Sequence, residues 1–282
     1  MAAVGSRHRR AADLAAGTAT TGCCRSFCPS GGLVVVDDFC ERCYWLKLHL
    51  NHHLPFQIFP SIFSSIDSYT KDVVHSWFDA HGVPPEWLSP LGPIVAYQEP
   101  RHWSKFQTVD ADYGIRLRGV ADAIFEYADG SYLIADYKTA RFTDVQNEKL
   151  MPRYKVQLNA YARIAAACGP TPISHLALVY MEPVTKCDAV NYCANCREDG
   201  FSMGFRARVV EIPLDDGLLK HVMARTREIF NLSDAPDGAP GCEDCVLILD
   251  LAEQLWPGIN DVDLAEKLQR MLADPQQKRA RR

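Results

Sequence analysis

The sequence predicts a mixed α/β fold, a central mixed β-sheet flanked by helices, and three observations carry that expectation. The turn signal Ala128-Asp129-Gly130 joins two stretches rich in β-formers, Gly114 to Tyr127 and Ser131 to Lys138. A helical pattern follows from Arg153 to Ala167 and is stopped by Gly169-Pro170. Two further strands, Ile173 to Met181 and Phe205 to Ile212, then precede an amphipathic helix from Leu218 to Phe230. With 282 residues, 48% of them hydrophobic, the chain can bury a sizeable core and has a globular composition.

Upstream of the hairpin the pattern is helical. One helix begins near Phe39, capped by Asp37 or Asp38, and carries Cys40, Cys43 and Tyr44. A second is capped at Ser64 or Ser65 and runs to about Ala80, with Ile66, Tyr69, Val73 and Trp77 as its apolar stripe. Asp67 and Lys71 fall beside that stripe with i, i+4 spacing, which reads as a surface ion pair. Gly82, Pro84 and Pro85 end helical structure. Beyond Cys245 the pattern is two short helices broken at Pro257. The expected organisation is a disordered leader over 1–32, one domain with cysteine-bearing ends over 33–256, and a C-terminal helix and basic tail over 257–282.

The net charge of −5 argues against adhesion to nucleic acid through overall charge, although a local basic groove is compatible with it. No apolar run approaches the roughly 18–20 residues that span a bilayer. The early arginines are not followed by the apolar stretch of a signal peptide. Eleven cysteines, an odd number rich in Cys-x-x-Cys pairs, favour metal or redox chemistry in a reducing compartment over disulfides. These features describe a cytoplasmic protein with no membrane partner.

The hairpin concentrates the chemistry. Residues i and i+2 of a strand share a face, so Asp136 and Lys138 stand about 7 Å apart, aimed into one site. They follow the apolar run Leu133-Ile134-Ala135, a poor place for decorative charge. Asp122 lies on the partner strand, after Gly119. Two converging carboxylates form a hard oxygen site for Mg²⁺ or Mn²⁺, and Lys138 can orient a water beside it. On the next helix, Gln157 and Tyr161 share a face by their i, i+4 spacing.

The ordered series Gly119-Val120-Ala121-Asp122, Asp136-Tyr137-Lys138 and Gln157-Leu158-Asn159-Ala160-Tyr161 resembles the G-x-x-D, D-x-K and Q-x-x-x-Y motifs of RecB-like nucleases and CRISPR-associated exonucleases of the PD-(D/E)XK superfamily. The resemblance covers about residues 115–162 and implies a restriction-endonuclease-like core. It also implies a metal-dependent, exonuclease-like activity on DNA. Under it Asp122 and Asp136 bind the divalent metal, Lys138 assists the water, and Gln157 and Tyr161 act at the substrate backbone. It further implies a His or Glu on an early helix near the metal. His75 is the histidine in that stretch, but helical geometry sets it nearly opposite the apolar stripe. A nuclease-like fold that binds nucleic acid or a protein partner without cutting is the alternative.

Some members of that family tie their ends together with an iron–sulfur cluster, typically through one early cysteine and three late ones. Here Cys40 and Cys43 come early and Cys242 and Cys245 late, two and two. Four thiolates suit either tetrahedral Zn²⁺ or an iron–sulfur cluster. Cys187, Cys193 and Cys196 are either three ligands of a small zinc knuckle or free thiols. Cys168 reads as core packing, and Cys23, Cys24 and Cys28 as unliganded.

Overall fold

The computed structural model describes residues 25–27, 40–49, 61–185 and 195–255. In chain order these form β1 (Arg25–Phe27), α1 (Glu41–His49), α2 (Ser61–His81) and a 3-10 helix (Glu86–Leu91). Then come β2 (Ile94–Gln98), β3 (Gln107–Asp110), β4 (Ile115–Arg118), β5 (Ala123–Tyr127) and β6 (Tyr132–Lys138). The crossover helix α3 (Asp144–Cys168) leads to β7 (Ile173–Pro183) and the short strands β8 (Cys196–Arg197) and β9 (Gly200–Phe201). β10 (Phe205–Ile212), α4 (Asp216–Asn231) and α5 (Glu243–Leu255) complete the described chain. Cys23, Cys24, Cys28, Cys187, Cys193 and the basic tail lie outside the described residues. No helix among the described residues is long and apolar enough to cross a membrane.

The central sheet has the order β10-β7-β6-β5-β2. β6 and β7 run parallel, joined by α3, and the other pairs are antiparallel. This is the expected mixed sheet. Alternation along the strands sends Ile124, Ile134, Leu176 and Leu178 to one face, where Val156, Tyr161 and Ile164 of α3 cover them. It sends Phe125, Leu133, Ala135 and Val179 to the other, against Val74 and Phe78 of α2 and Leu88 and Leu91 of the 3-10 helix. Being covered on both faces, β6 is apolar at successive positions rather than at every second one. The β5–β6 turn is the expected one: Gly130 takes φ +79°, and the Asp129 carboxylate accepts from the Ser131 amide at 2.9 Å.

Three expectations are corrected. The stretch Gly114 to Tyr127 is not one strand. It breaks at 119–122, where the Gly119 amide donates to the Phe106 carbonyl. β4 is left in a three-stranded sheet with β1 and β3, and Asp122 stands just ahead of β5. The crossover helix starts at Asp144 and runs through Pro152, which removes one backbone donor without ending it. The buried face of α2 is Thr70, Val74 and Phe78, while Tyr69 is 67% exposed and Val73 and Trp77 are also exposed. The reason is tertiary. Only this rotation seats Val74 and Phe78 on the sheet while Asp67 and Lys71 reach the polar end of β6.

Phe125→Ala, in the middle of the sheet, should lower unfolding stability by about 3–5 kcal/mol in urea titrations. Trp77→Ser, on the outer face of α2, should stay within about 0.5 kcal/mol of the parent. The opposite ranking would mean that α2 is rotated as the sequence periodicity predicts.

Candidate active site and cysteine centre

A cleft of about 940 Å³ opens where β6 ends and α2 and α3 approach from opposite faces of the sheet. Asp122, Asp136, Lys138, Gln157 and Tyr161 all line it. Asp136 is 2% exposed, and its Oδ1 accepts from Gln157 Nε2 at 3.0 Å. Its Oδ2 pairs with Lys138 Nζ. Lys138 Nζ also donates to Gln157 Oε1 at 3.2 Å and stands 4.4 Å over the Tyr154 ring. Gln157 thus grips both members of the D-x-K pair with one amide. Behind it Tyr161, 1% exposed, accepts from Gln157 Nε2 at 3.2 Å through its hydroxyl.

Asp122 is held from two sides. Its Oδ2 accepts from the Tyr137 amide at 3.0 Å, which ties the break in the chain to β6. Its Oδ1 accepts from Lys71 Nζ at 2.9 Å, and the same ammonium donates to Asp67 Oδ2 at 2.7 Å. Asp67, Asp122, Asp136 and Lys138 therefore share the cleft wall, and Lys71, which is not one of its lining residues, pairs with Asp67 and Asp122.

Burial pushes the Asp136 carboxyl up to about 7; Lys138 opposes the shift and the Asp122 charge adds to it. Burial and Asp122 likewise raise Asp67, against the pull of Lys71. For Lys71, burial works against the charge, but Asp122 and Asp67 outweigh it and lift its pKa above the ordinary lysine value. Asp136 Oδ2, paired with Lys138, and the neighbouring Asp122 carboxylate make up an all-oxygen donor set of the kind that Mg²⁺ and Mn²⁺ prefer.

The early helix contributes Asp67 and Lys71, whose spacing alone predicts a surface pair. His75 points elsewhere, its Nδ1 3.3 Å from Glu99 Oε1 and its ring stacked on Tyr97 at 4.2 Å. The signal for Asp67 and Lys71 is a second helical face, positions 67, 70, 71, 74 and 78, that competes with the more hydrophobic stripe. Trp103 and Arg118 also line the cleft and carry no sequence signal. Trp103 is 46% exposed, with the Arg118 guanidinium 5.2 Å over its ring.

The family model of the PD-(D/E)XK nuclease superfamily matches residues 81–247, more than half of the chain. The chain belongs to that superfamily. Its membership fits the cleft, because the matched segment holds every motif residue from Asp122 to Tyr161. Over 47 residues, 17% of this chain, it is 43% identical to an ATP-dependent helicase/nuclease subunit of Clostridium perfringens strain SM101 and 40% identical to that of strain 13. The match spans only about 4% of the length of these relatives. Among solved structures, a phage-related exonuclease from Haemophilus somnus 129PT is similar at a TM-score of 0.38 and 13% identity, over 67% of this chain and 78% of that one.

Away from the cleft of this superfamily member, Cys40, Cys43, Cys242 and Cys245 come together, with their sulfurs all within 4.8 Å of one another. Cys40 Sγ is 3.3 Å from Cys245 Sγ, and Cys43 Sγ is 3.7 Å from Cys242 Sγ and 3.5 Å from Cys245 Sγ. Cys40 Sγ also accepts from the Ala239 amide at 3.2 Å. Burial works against a Cys40 thiolate, but the amides of Cys43 and Ala239 and the neighbouring thiols outweigh it and bring its pKa down to about 7. Burial and the Cys40 thiol push Cys245 up to about 12. The group joins α1 to the start of α5, and the donor set fits a metal ion. Cys196 is exposed on β8, while Cys168 packs partly buried against the core and donates to the Ile164 carbonyl.

Proposed function

We propose that this chain is a metal-dependent nuclease that hydrolyses phosphodiester bonds in DNA, working from single-stranded ends. The observation that carries the reading is the buried Asp136 carboxylate, its Oδ2 paired with Lys138, set beside Asp122 in one cleft. Asp122 and Asp136 would hold Mg²⁺ or Mn²⁺. Such an ion, when bound, lowers the pKa of a water and stabilises charge developing on the phosphate. Gln157 occupies Asp136 Oδ1, so Oδ2, which pairs with Lys138, is the oxygen that would meet the cation. Lys138, steered by Gln157 and the Tyr154 ring, orients the attacking water and offsets the negative charge. Tyr161 acts through Gln157 as a positioning residue.

The cleft rim supports a single-stranded substrate. Exposed Trp103 offers a ring face to an unpaired base, and Arg118 beside it offers charge to the backbone. Bases in a duplex have no free face for such stacking. At the cysteine group we read a single structural Zn²⁺. A Zn–S bond of about 2.3 Å places tetrahedral sulfurs roughly 3.8 Å apart, and the sulfurs here lie within 4.8 Å of one another, with three pairs at 3.3, 3.5 and 3.7 Å. A four-iron cluster binds each thiolate to a different iron and spreads the sulfurs further. The ion would clasp residues separated by 199 positions, as Cys43 and Cys242 are.

With end-labelled single-stranded DNA and Mg²⁺ or Mn²⁺, Asp136→Ala and Lys138→Ala should each lower cleavage by at least about a hundredfold. Undiminished activity in both overturns the mechanism, and tight DNA binding without cleavage in the parent marks a non-cutting clamp. Circular single strands should stay intact; their cleavage would exclude an end-dependent enzyme.

Trp103→Ala should raise KM for single strands roughly 5- to 100-fold with kcat little changed, as expected from losing one base stack. An unchanged KM removes Trp103 from the substrate path.

The purified protein should be colourless with one zinc per chain, and Cys245→Ser should lower Tm by roughly 5–15 °C. A brown protein absorbing near 400 nm would instead establish an iron–sulfur centre.

A further inference from the structure

Lys71 has no place in the mechanism above, yet it makes short polar contacts to two carboxylates that line the cleft. Its ammonium is 2.7 Å from Asp67 Oδ2 and 2.9 Å from Asp122 Oδ1. The Asp67 contact alone is the ordinary i, i+4 pair of a helix surface. The Asp122 contact is different in kind. It joins α2 to a residue 51 positions away that stands at the break between β4 and β5, inside the cleft wall. All three groups are partly buried, with side-chain exposures of 24% for Lys71, 35% for Asp67 and 20% for Asp122. The burial of Val74 and Phe78 against the sheet fixes the rotation of α2 that brings Lys71 there.

Two carboxylates that share one cation at oxygen distance are what a divalent ion would otherwise bridge. Phosphodiester-cleaving sites with two ions hold them about 3.5–4 Å apart across a shared carboxylate. Asp122 is the carboxylate that both halves of this site share: it stands beside Asp136 on one side and meets Lys71 on the other. Each carboxylate oxygen has two lone pairs, so Asp122 Oδ1 can keep the Lys71 hydrogen bond and still serve one ion.

Resting on the metal-dependent reading of the cleft, we propose that Lys71 is a built-in cation: its ammonium fills the place of a second divalent ion between Asp67 and Asp122, so that the site binds one metal ion and not two. A tethered ammonium cannot dissociate, so this half of the site stays neutralised at any metal concentration. Lys71 is then a positioning residue that holds Asp122 for the single ion.

The test counts ions in the full chain, without nucleic acid and with the cysteine centre left in its purified state. Mn²⁺ is titrated against the protein, and free Mn²⁺ is followed by electron paramagnetic resonance. The expected result is one Mn²⁺ per chain in the parent and in Lys71→Arg, and two in Lys71→Ala and Lys71→Gln. Adding Asp67→Ala to Lys71→Ala should return the count to one. Two Mn²⁺ in the parent overturn the inference while leaving the metal-dependent reading intact, as does a count of one in both neutral Lys71 variants with native circular dichroism. No Mn²⁺ in the parent removes the metal-dependent reading itself, and the inference with it.

Discussion

Asp136 is a carboxylate buried at the end of an apolar strand, and the local structure is organised around keeping it there. A carboxylate taken out of water must be paired, hydrogen-bonded or neutralised. Lys138, two residues on and on the same face of β6, supplies the charge. Gln157, projecting from α3, supplies the one hydrogen bond to Oδ1. The crossover that brings α3 over this face is required by the parallel pairing of β6 with β7. Remove that crossover and Gln157 is lost to the site, and Asp136 and Lys138 revert to a strand-end ion pair.

The other half of the site depends on chain geometry rather than on a ladder. Asp122 belongs to no strand; it sits where the chain passes from the β3–β4 sheet to the central one. The Tyr137 amide and Lys71 hold it there, one from β6 and one from α2. The site is therefore closed by two helices that never touch the same face of the sheet. The ends of the described fold are tied separately. Tyr44 bonds Thr226 at 3.0 Å, Arg225 pairs with Glu41, and the cysteine group joins α1 to α5. These contacts lie away from the cleft lining, so the cysteine group ties α1 to α5 independently of the carboxylates in the cleft.

Much of this was legible in the sequence because short-range rules governed it. The Asp129-Gly130 turn, the β6 run and the ends of β10 follow from turn chemistry and alternation, and α4 begins within two residues of its expected start. Within the site, strand spacing pairs Asp136 with Lys138 and helix spacing pairs Gln157 with Tyr161, but it was the resemblance to the ordered nuclease motifs that joined the two pairs. The facing of α2 was not. Its sequence has two candidate stripes, and the more hydrophobic one is exposed because the sheet end demanded charge from this helix. Periodicity ranks stripes by hydrophobicity and carries no knowledge of carboxylates 51 residues away. Nor does it foresee that Gly119 to Asp122 would leave one sheet to enter another. Trp103 and Arg118 were invisible for a third reason: their role comes only from lying on the rim of a cleft built by other segments.

The charge pattern of the cleft has a consequence for how the proposed nuclease would meet its substrate. Asp67, Asp122 and Asp136 are gathered at the floor of the cleft, where Lys71 and Lys138 offset their charge, and Arg118 and Arg153 line the cleft as well. The carboxylate oxygens themselves repel an approaching phosphate, and that repulsion is felt most where the medium is least polar. The rim has the opposite character, with Arg118 stacked on Trp103. A strand can therefore settle on the rim through stacking and guanidinium contacts while its phosphate is held off the carboxylates until a divalent ion binds them. Binding and readiness for hydrolysis become separate events in such an arrangement, the first set by the rim and the second by the carboxylates. A net charge of −5 is therefore compatible with the proposed action on a polyanion: the sign that matters is the one met at each depth of the cleft, and not the sum over the surface.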